Sequence, residues 1–163
     1  MSLPTFEARM DALVSAFGDG RHREAADLAA QLKAELLAEA AAAGKQPDPM
    51  QVGWARFYQL KALHAAPDYA AAHALLSSTE PVTWIVSQRN AAWMDSVGVE
   101  LAFRLGKADE IAVWGERCYQ KRVELGDPKD VAACVHMVHD LLGRVGRADE
   151  AAAWAERLRG VAP

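Results

Sequence analysis

Apolar residues along this chain recur at intervals of three and four rather than two. Leu28, Leu32 and Leu36 form one such stripe and Val135, Val138 and Leu142 another, the spacing that puts side chains on one face of an α-helix. No run alternates apolar with polar positions among β-branched residues, so the pattern predicts no strand. Breakers interrupt the stripes at Gly18-Asp-Gly20, Gly44 to Pro49, Ala66-Pro-Asp68, Ser77 to Pro81, Leu105-Gly106, Gly126-Asp-Pro128 and Val145-Gly146. The stretches between them predict eight helices, at about 4–18, 21–43, 49–64, 68–77, 80–105, 108–125, 129–145 and 148–159. Asp48-Pro49 and Asp127-Pro128 each place an N-cap acceptor before a proline whose missing N–H costs nothing in the first turn, and Thr79-Glu80-Pro81 is a similar start.

The helices repeat. Leu105-Gly-Lys-Ala-Asp-Glu-Ile-Ala-Val-Trp-Gly-Glu-Arg117 lies over Val145-Gly-Arg-Ala-Asp-Glu-Ala-Ala-Ala-Trp-Ala-Glu-Arg157 at an offset of 40, with eight of the thirteen pairs identical. Gly20 to Leu32 is a third copy, and a degenerate fourth runs from Ala65 to Leu75. Anchors at 20, 65, 106 and 146 are spaced 45, 41 and 40 residues apart, a period that marks stacked helical hairpins. The glycine stands where the chain must reverse, and Asp or Glu follows in the first turn of the next helix, where the macrodipole favours negative charge. Small residues four apart (Ala25 and Ala29, Ala70 and Ala74, Ala151 and Ala155) predict a stripe that lets the second helix of each hairpin pack closely on the first.

These copies resemble the tetratricopeptide repeat, in which Gly-x-x-x-Glu-Ala opens the second helix of each hairpin. The matching residues are Gly20 with Glu24-Ala25, Gly106 with Glu110-Ile111 and Gly146 with Glu150-Ala151, and prolines close hairpins at Pro47, Pro81 and Pro128. Trp54, 11 residues before Ala65, stands where the family's tryptophan would, with Arg9, Asp95 and Val135 at the same place in the other copies. The match is strong in the second helices and weak in the first, and the period exceeds the family's, which makes the chain a divergent relative. The resemblance implies an all-α fold, a right-handed α-solenoid of about four antiparallel hairpins (4–43, 49–77, 80–125 and 129–159) forming one domain over residues 1–163.

Composition changes this picture little. Hydrophobic residues make up 52% of the 163, enough for a packed core, but much of that share is alanine, which buries little area. Five tryptophans, four phenylalanines and the leucines must supply most of the burial. Net charge is −4 with basic residues dispersed, so no stripe predicts nucleic-acid binding. No apolar run reaches the ~18 residues of a membrane span. The amino-terminal residues lack the pattern of a secretory leader, and two cysteines are too few for a disulfide framework, so a cytoplasmic protein with buried thiols is expected.

In arrays of this family the first helices line the face where partners dock. Counting back from the anchor glycines, the resemblance places Trp93, Ser96, Glu100 and Phe103 on that face in the third hairpin, and Ala133, His136, Asp140 and Gly143 in the fourth. Apolar stripes at helical spacing more often fill a core, so Trp93 and Phe103 are also candidates for packing, as is Trp84 earlier in the same long helix. Cys134, His136, His139 and Asp140 suggest a metal or catalytic cluster, but Cys134 and His136 stand ~200° apart on a helix and cannot share an ion. His136 and Asp140 do share a face; zinc needs three or four ligands and no third stands at a convincing spacing. Cys118 is expected to pack near Cys134 or elsewhere in the core, as a small buried hydrophobe.

The expected function is a non-catalytic protein–protein interaction module, an adaptor, a chaperone or a toxin-neutralising immunity protein. It would bind a protein or peptide through the first-helix face, with no cofactor, metal, nucleic acid or membrane. The alternative is a small-ligand receptor or enzyme with a pocket around His136 and Asp140, supported by Trp93 and Glu100. A homodimer through the carboxyl-terminal hairpin is a further expectation, because Ala151, Ala152, Trp154, Ala155 and Leu158 stand on a terminal helix with no obvious polar cap.

Overall fold

Helices in this chain start in two ways. In the computed structural model, which describes residues 4–78 and 86–160, the first way is a side-chain cap. Thr5 accepts from the Ala8 N–H at 3.3 Å, Asp48 from Met50 and Gln51, Ser87 from Asn90, and Asp127 from Lys129. These caps open α1 (Phe6–Gly18), α3 (Pro49–Ala65), α5 (Gln88–Arg104) and α7 (Pro128–Arg144).

The second way opens α2 (His22–Ala42), α6 (Ala108–Leu125) and α8 (Ala148–Glu156), where no side chain caps the helix. A left-handed glycine, such as Gly106 at φ 70° or Gly146 at φ 79°, ends the preceding helix. The basic residue after it (Arg21, Lys107 or Arg147) donates its N–H back five residues to Ala16, Ala102 or Leu142, at 2.9, 2.8 and 2.9 Å. The carbonyls of Arg21 and Arg147 in turn accept from Ala25 and Ala151, so one residue closes one helix and opens the next. A Cβ at Gly146 would meet nothing within 4 Å, so Gly146→Val should cost only the left-handed backbone penalty, about 1–2 kcal/mol in chemical unfolding. An unchanged midpoint would mean that the turn relaxes to negative φ.

α4 (Tyr69–Ser77) combines both devices: the Asp68 carboxylate accepts from Ala71, and its N–H donates to the Leu63 carbonyl at 2.9 Å. That bond corrects the degenerate repeat. Pro67-Asp68, not Ala65-Ala66, is the counterpart of Gly20-Arg21, so the turn positions are 20, 67, 106 and 146, spaced 47, 39 and 40. Ala72 and Leu76 accordingly take the places of Ala25 and Ala29 and are buried, whereas Ala70 and Ala74, expected to form the packing stripe, are exposed. The stripe expected in the last helix is half kept, with Ala151 buried and Ala155 partly exposed.

The described residues hold eight α-helices, one 3₁₀ turn (Arg157–Gly160) and no strand. The fifth helix, expected from residue 80, begins at Gln88, because Ser87 is extended and caps it. Thr79, Glu80, Pro81 and Trp84 of the expected start lie outside the described residues. No described helix is long and apolar enough to cross a membrane.

The chain forms two compact units, Met1–Val86 and Ser87–Pro163. In the first, α1, α2, α3 and α4 each pack on the next and α1 also meets α3; in the second, α5 to α8 do the same and α5 meets α7. Leu13, Ala25, Val52 and Leu60 are fully buried in the first core, and Leu101, Ile111, Val135 and Leu142 in the second. The starts of α2 and α4 are tied by Arg23 and Asp68 at 2.5 Å in the first unit, and those of α6 and α8 by Arg147 and Asp109 in the second. Two glycines allow close helix approach: a Cβ on Gly98 would lie 2.5 Å from the Trp114 ring, and one on Gly115 would lie 2.7 Å from Val138.

Candidate functional site

The corrected register identifies matching positions on the four odd helices. At thirteen, ten, six and three residues before the turn stand Glu7, Met10, Val14 and Phe17 on α1, and Trp54, Phe57, Lys61 and His64 on α3. The same positions are Trp93, Ser96, Glu100 and Phe103 on α5, and Ala133, His136, Asp140 and Gly143 on α7. Trp54 and Trp93 are therefore counterparts, a relation hidden when α3 is counted from Ala65.

In the second unit, Trp93, Ser96, Glu100 and Phe103 are half-buried, while His136 and Asp140 are exposed. Phe103 and Asp140 are joined through a residue that sequence reasoning passed over. The Arg144 guanidinium lies 4.7 Å from the centre of the Phe103 ring and 3.8 Å from the Asp140 carboxylate. Its signal was available, a basic residue one turn after Asp140 and just ahead of the reversing glycine. Arg104 donates to Glu100 at 2.7 Å, and the Ser96 hydroxyl donates to the Trp93 carbonyl at 2.6 Å, so that hydroxyl is engaged within its own helix. Among the described residues His136 makes no hydrogen bond or ion pair, and nothing joins it to Trp93 or Glu100.

The histidine–cysteine cluster of α7 divides among different directions. Cys134 is buried with its sulfur 3.9 Å from the Gly115 carbonyl, and His139 Nδ1 lies 2.8 Å from the Ala151 carbonyl. Among the described residues no group of three His, Cys, Asp or Glu side chains is placed to hold a metal. Cys118 is buried beside Cys134. The hydrogen bond from Cys134, aided by the Arg122 guanidinium 3.4 Å from its sulfur, lowers Cys118 to about 7. The same bond and burial push the Cys134 thiol upward. Both residues are almost wholly shielded from solvent.

The first unit carries a related arrangement, with the ring at the matching position and the cation at a different one. Phe17, the counterpart of Phe103, has the Lys61 ammonium 5.0 Å from its ring centre. Further along this face, Phe6, Glu7, Met10, Asp11, Trp54 and Tyr58 line an open groove of about 360 Å³. Its floor is fixed, because Phe6 and Met10 pack against Leu32, Leu36, Val52 and Ala55. The Trp54 and Tyr58 rings stand 6.3 Å apart on its α3 side.

In α8, Ala151 and Trp154 are buried. Trp154 stacks edge-on with Tyr119 at 6.0 Å and carries the Arg157 guanidinium 4.0 Å above its ring. Of the five residues expected to form a dimer surface, only Ala152 is exposed, with Ala155 and Leu158 half-buried.

No protein-family model matches the chain, and neither the curated proteins nor the solved structures contain a match.

Proposed function

We propose that the chain is a non-catalytic interaction module that holds a protein or peptide on the faces of its odd helices. In this reading the helices pair as tetratricopeptide-like hairpins, α1 with α2, α3 with α4, α5 with α6 and α7 with α8. Support comes from the repeated glycine–basic turn, from the odd-on-odd contacts within each unit, and from the tie between second-helix starts in both. The partner-binding residues are Trp93, Ser96, Glu100, Phe103, His136 and Asp140, with Arg144 added to them. An adaptor, chaperone or immunity role fits such a module.

The observation that carries the proposal is a half-buried ring at one recurring position, three residues before the turn on α1 and on α5, covered in each unit by a cation from the other odd helix. A half-buried ring at the end of α1 or α5 is overlaid by a cation from α3 or α7, Lys61 on Phe17 and Arg144 on Phe103. Unlike the buried Trp114 and Trp154, which arginines also cover, Phe17 and Phe103 keep part of their surface open, and partly exposed aromatic and cationic groups are the usual anchors of recognition surfaces. The exposure of His136 and Asp140 favours contact with a broad partner over an enclosed ligand pocket.

Selection of a random dodecapeptide display library on the full chain tests this. At least one class of selected peptide is expected to lose tenfold or more in affinity for the Phe103→Ala/His136→Ala variant, with its melting curve otherwise unchanged. If every class binds that variant undiminished, the α5–α7 face is not the site.

A further inference from the structure

Three arginines of the second unit share one geometry, each lying over an aromatic ring while pairing with a carboxylate. Arg144 covers Phe103 and meets Asp140. Arg117 covers Trp114 at 4.5 Å and meets Asp95 at 3.4 Å, and Arg157 covers Trp154 at 4.0 Å and meets Glu116 at 2.7 Å. The planar guanidinium can stack on a ring face while its edge hydrogens reach a carboxylate, which an ammonium cannot do equally well.

The groove of the first unit holds the ring and the carboxylates of this set without the cation. Trp54 touches Phe57 and Tyr58 and, among the described residues, has no cation over its ring. Glu7 and Asp11 stand one turn apart on the same side of α1, both exposed, and among the described residues neither makes an ion pair or a side-chain hydrogen bond. The nearest basic residue on α1, Arg9, is committed elsewhere, to Glu35 at 3.0 Å and Glu39 at 2.9 Å. Lys61 serves the far end of the aromatic cluster, 5.0 Å from Phe17 and 5.6 Å from Tyr58. Among the described residues no basic side chain lines the groove, whose walls are two carboxylates with aromatic and apolar side chains.

We propose that this groove takes an arginine-bearing peptide segment of a protein partner, its guanidinium stacking on Trp54 and pairing with Glu7 and Asp11. A neighbouring apolar side chain of the same segment seats on Phe6 and Met10. The assignment rests on the interaction-module reading and supplies the chemistry of the partner on one of its faces. The two carboxylates draw the cation in, so binding weakens as ionic strength rises.

The same dodecapeptide library, selected in parallel on the wild-type chain, on Glu7→Gln/Asp11→Asn and on Trp54→Leu, decides it. The wild-type pool should contain an arginine-bearing class that binds either variant at least tenfold more weakly. The amide variant leaves the apolar packing untouched, so a matching melting curve separates lost binding from lost fold. An arginine class retained by the amide variant, or a pool with no such class, overturns the assignment. If other classes then still depend on Phe103 and His136, the interaction reading survives; if no peptide is selected at all, both fall. A wild-type dimer dissolved by the amide variant would also overturn it, since the occupant would be a second copy of this chain.

Discussion

Replacing Gly98 with valine is expected to disrupt the second unit more than any other single change at an uncharged position. A Cβ there would sit 2.5, 2.6 and 2.9 Å from three atoms of the Trp114 indole, well inside contact distance. The ring cannot swing away cheaply. It is 6% exposed, Arg117 is stacked 4.5 Å above it, and its Nε1–H points to Glu110 at 3.4 Å. Overpacking at so fixed a contact costs about 3 kcal/mol, and the two extra methyls of valine add to the strain. Glycine inside a helix ordinarily costs about 1 kcal/mol relative to alanine. At Gly98 that cost is offset by the close approach of α5 and α6. Denaturant unfolding of the full chain should show the loss in the α5–α8 unit, and trimming the ring with Trp114→Leu should return part of it. A Gly98→Val chain as stable as wild type would mean that the two helices are not in this contact.

The second large effect concerns a buried acid. Asp95 is 3% exposed on α5, where Lys121 pairs closely with its carboxylate and Arg117 approaches at 3.4 Å. Lys121→Met should destabilise by about 2–4 kcal/mol, because it leaves the carboxylate shielded from water with only the more exposed Arg117 to balance it. Removing both partners should do less damage. Asp95→Leu/Lys121→Met places apolar groups of similar size in the same space, and is expected to recover most of the loss. The checking measurement is a double-mutant cycle by chemical unfolding. If the double variant is as unstable as the sum of the singles, the pair is not acting as a unit.

Much of the architecture could be read directly from the residues. Eight helices follow from the three-and-four spacing, and the turns at Gly20, Gly106 and Gly146 from local chemistry, because a left-handed glycine and the basic residue after it form a closed set of backbone bonds. Local signals also explain the misreading. Ala65 resembled an anchor only by small size, whereas the turn is made by the Asp68 N–H reaching Leu63, with proline where the other copies have glycine. That two-residue error hid the equivalence of Trp54 and Trp93 and put Ala70 and Ala74 in the wrong stripe. The start of the fifth helix was misjudged because Pro81 is a familiar first-turn residue, while the cap in use is Ser87.

The candidate face was less legible than the fold, for a physical reason. Which side of an Ala-rich helix faces a neighbour depends on pairs far apart in sequence. Arg144 with Phe103, Lys61 with Phe17, and the Glu7–Asp11–Trp54 groove all join helices that are not adjacent along the chain. The resemblance points to Phe103 and Asp140; the guanidinium between them emerges only when α5 and α7 are packed together.

Amide hydrogen exchange on the full chain, with and without its tightest selected peptide, tests whether the odd helices of each unit carry the partner. Slower exchange should concentrate in α5 and α7 for a peptide that depends on Phe103, and in α1 and α3 for one that depends on Glu7 and Asp11. The exposed sides of α2, α4, α6 and α8 should stay unchanged. Protection confined to those even helices would contradict the account.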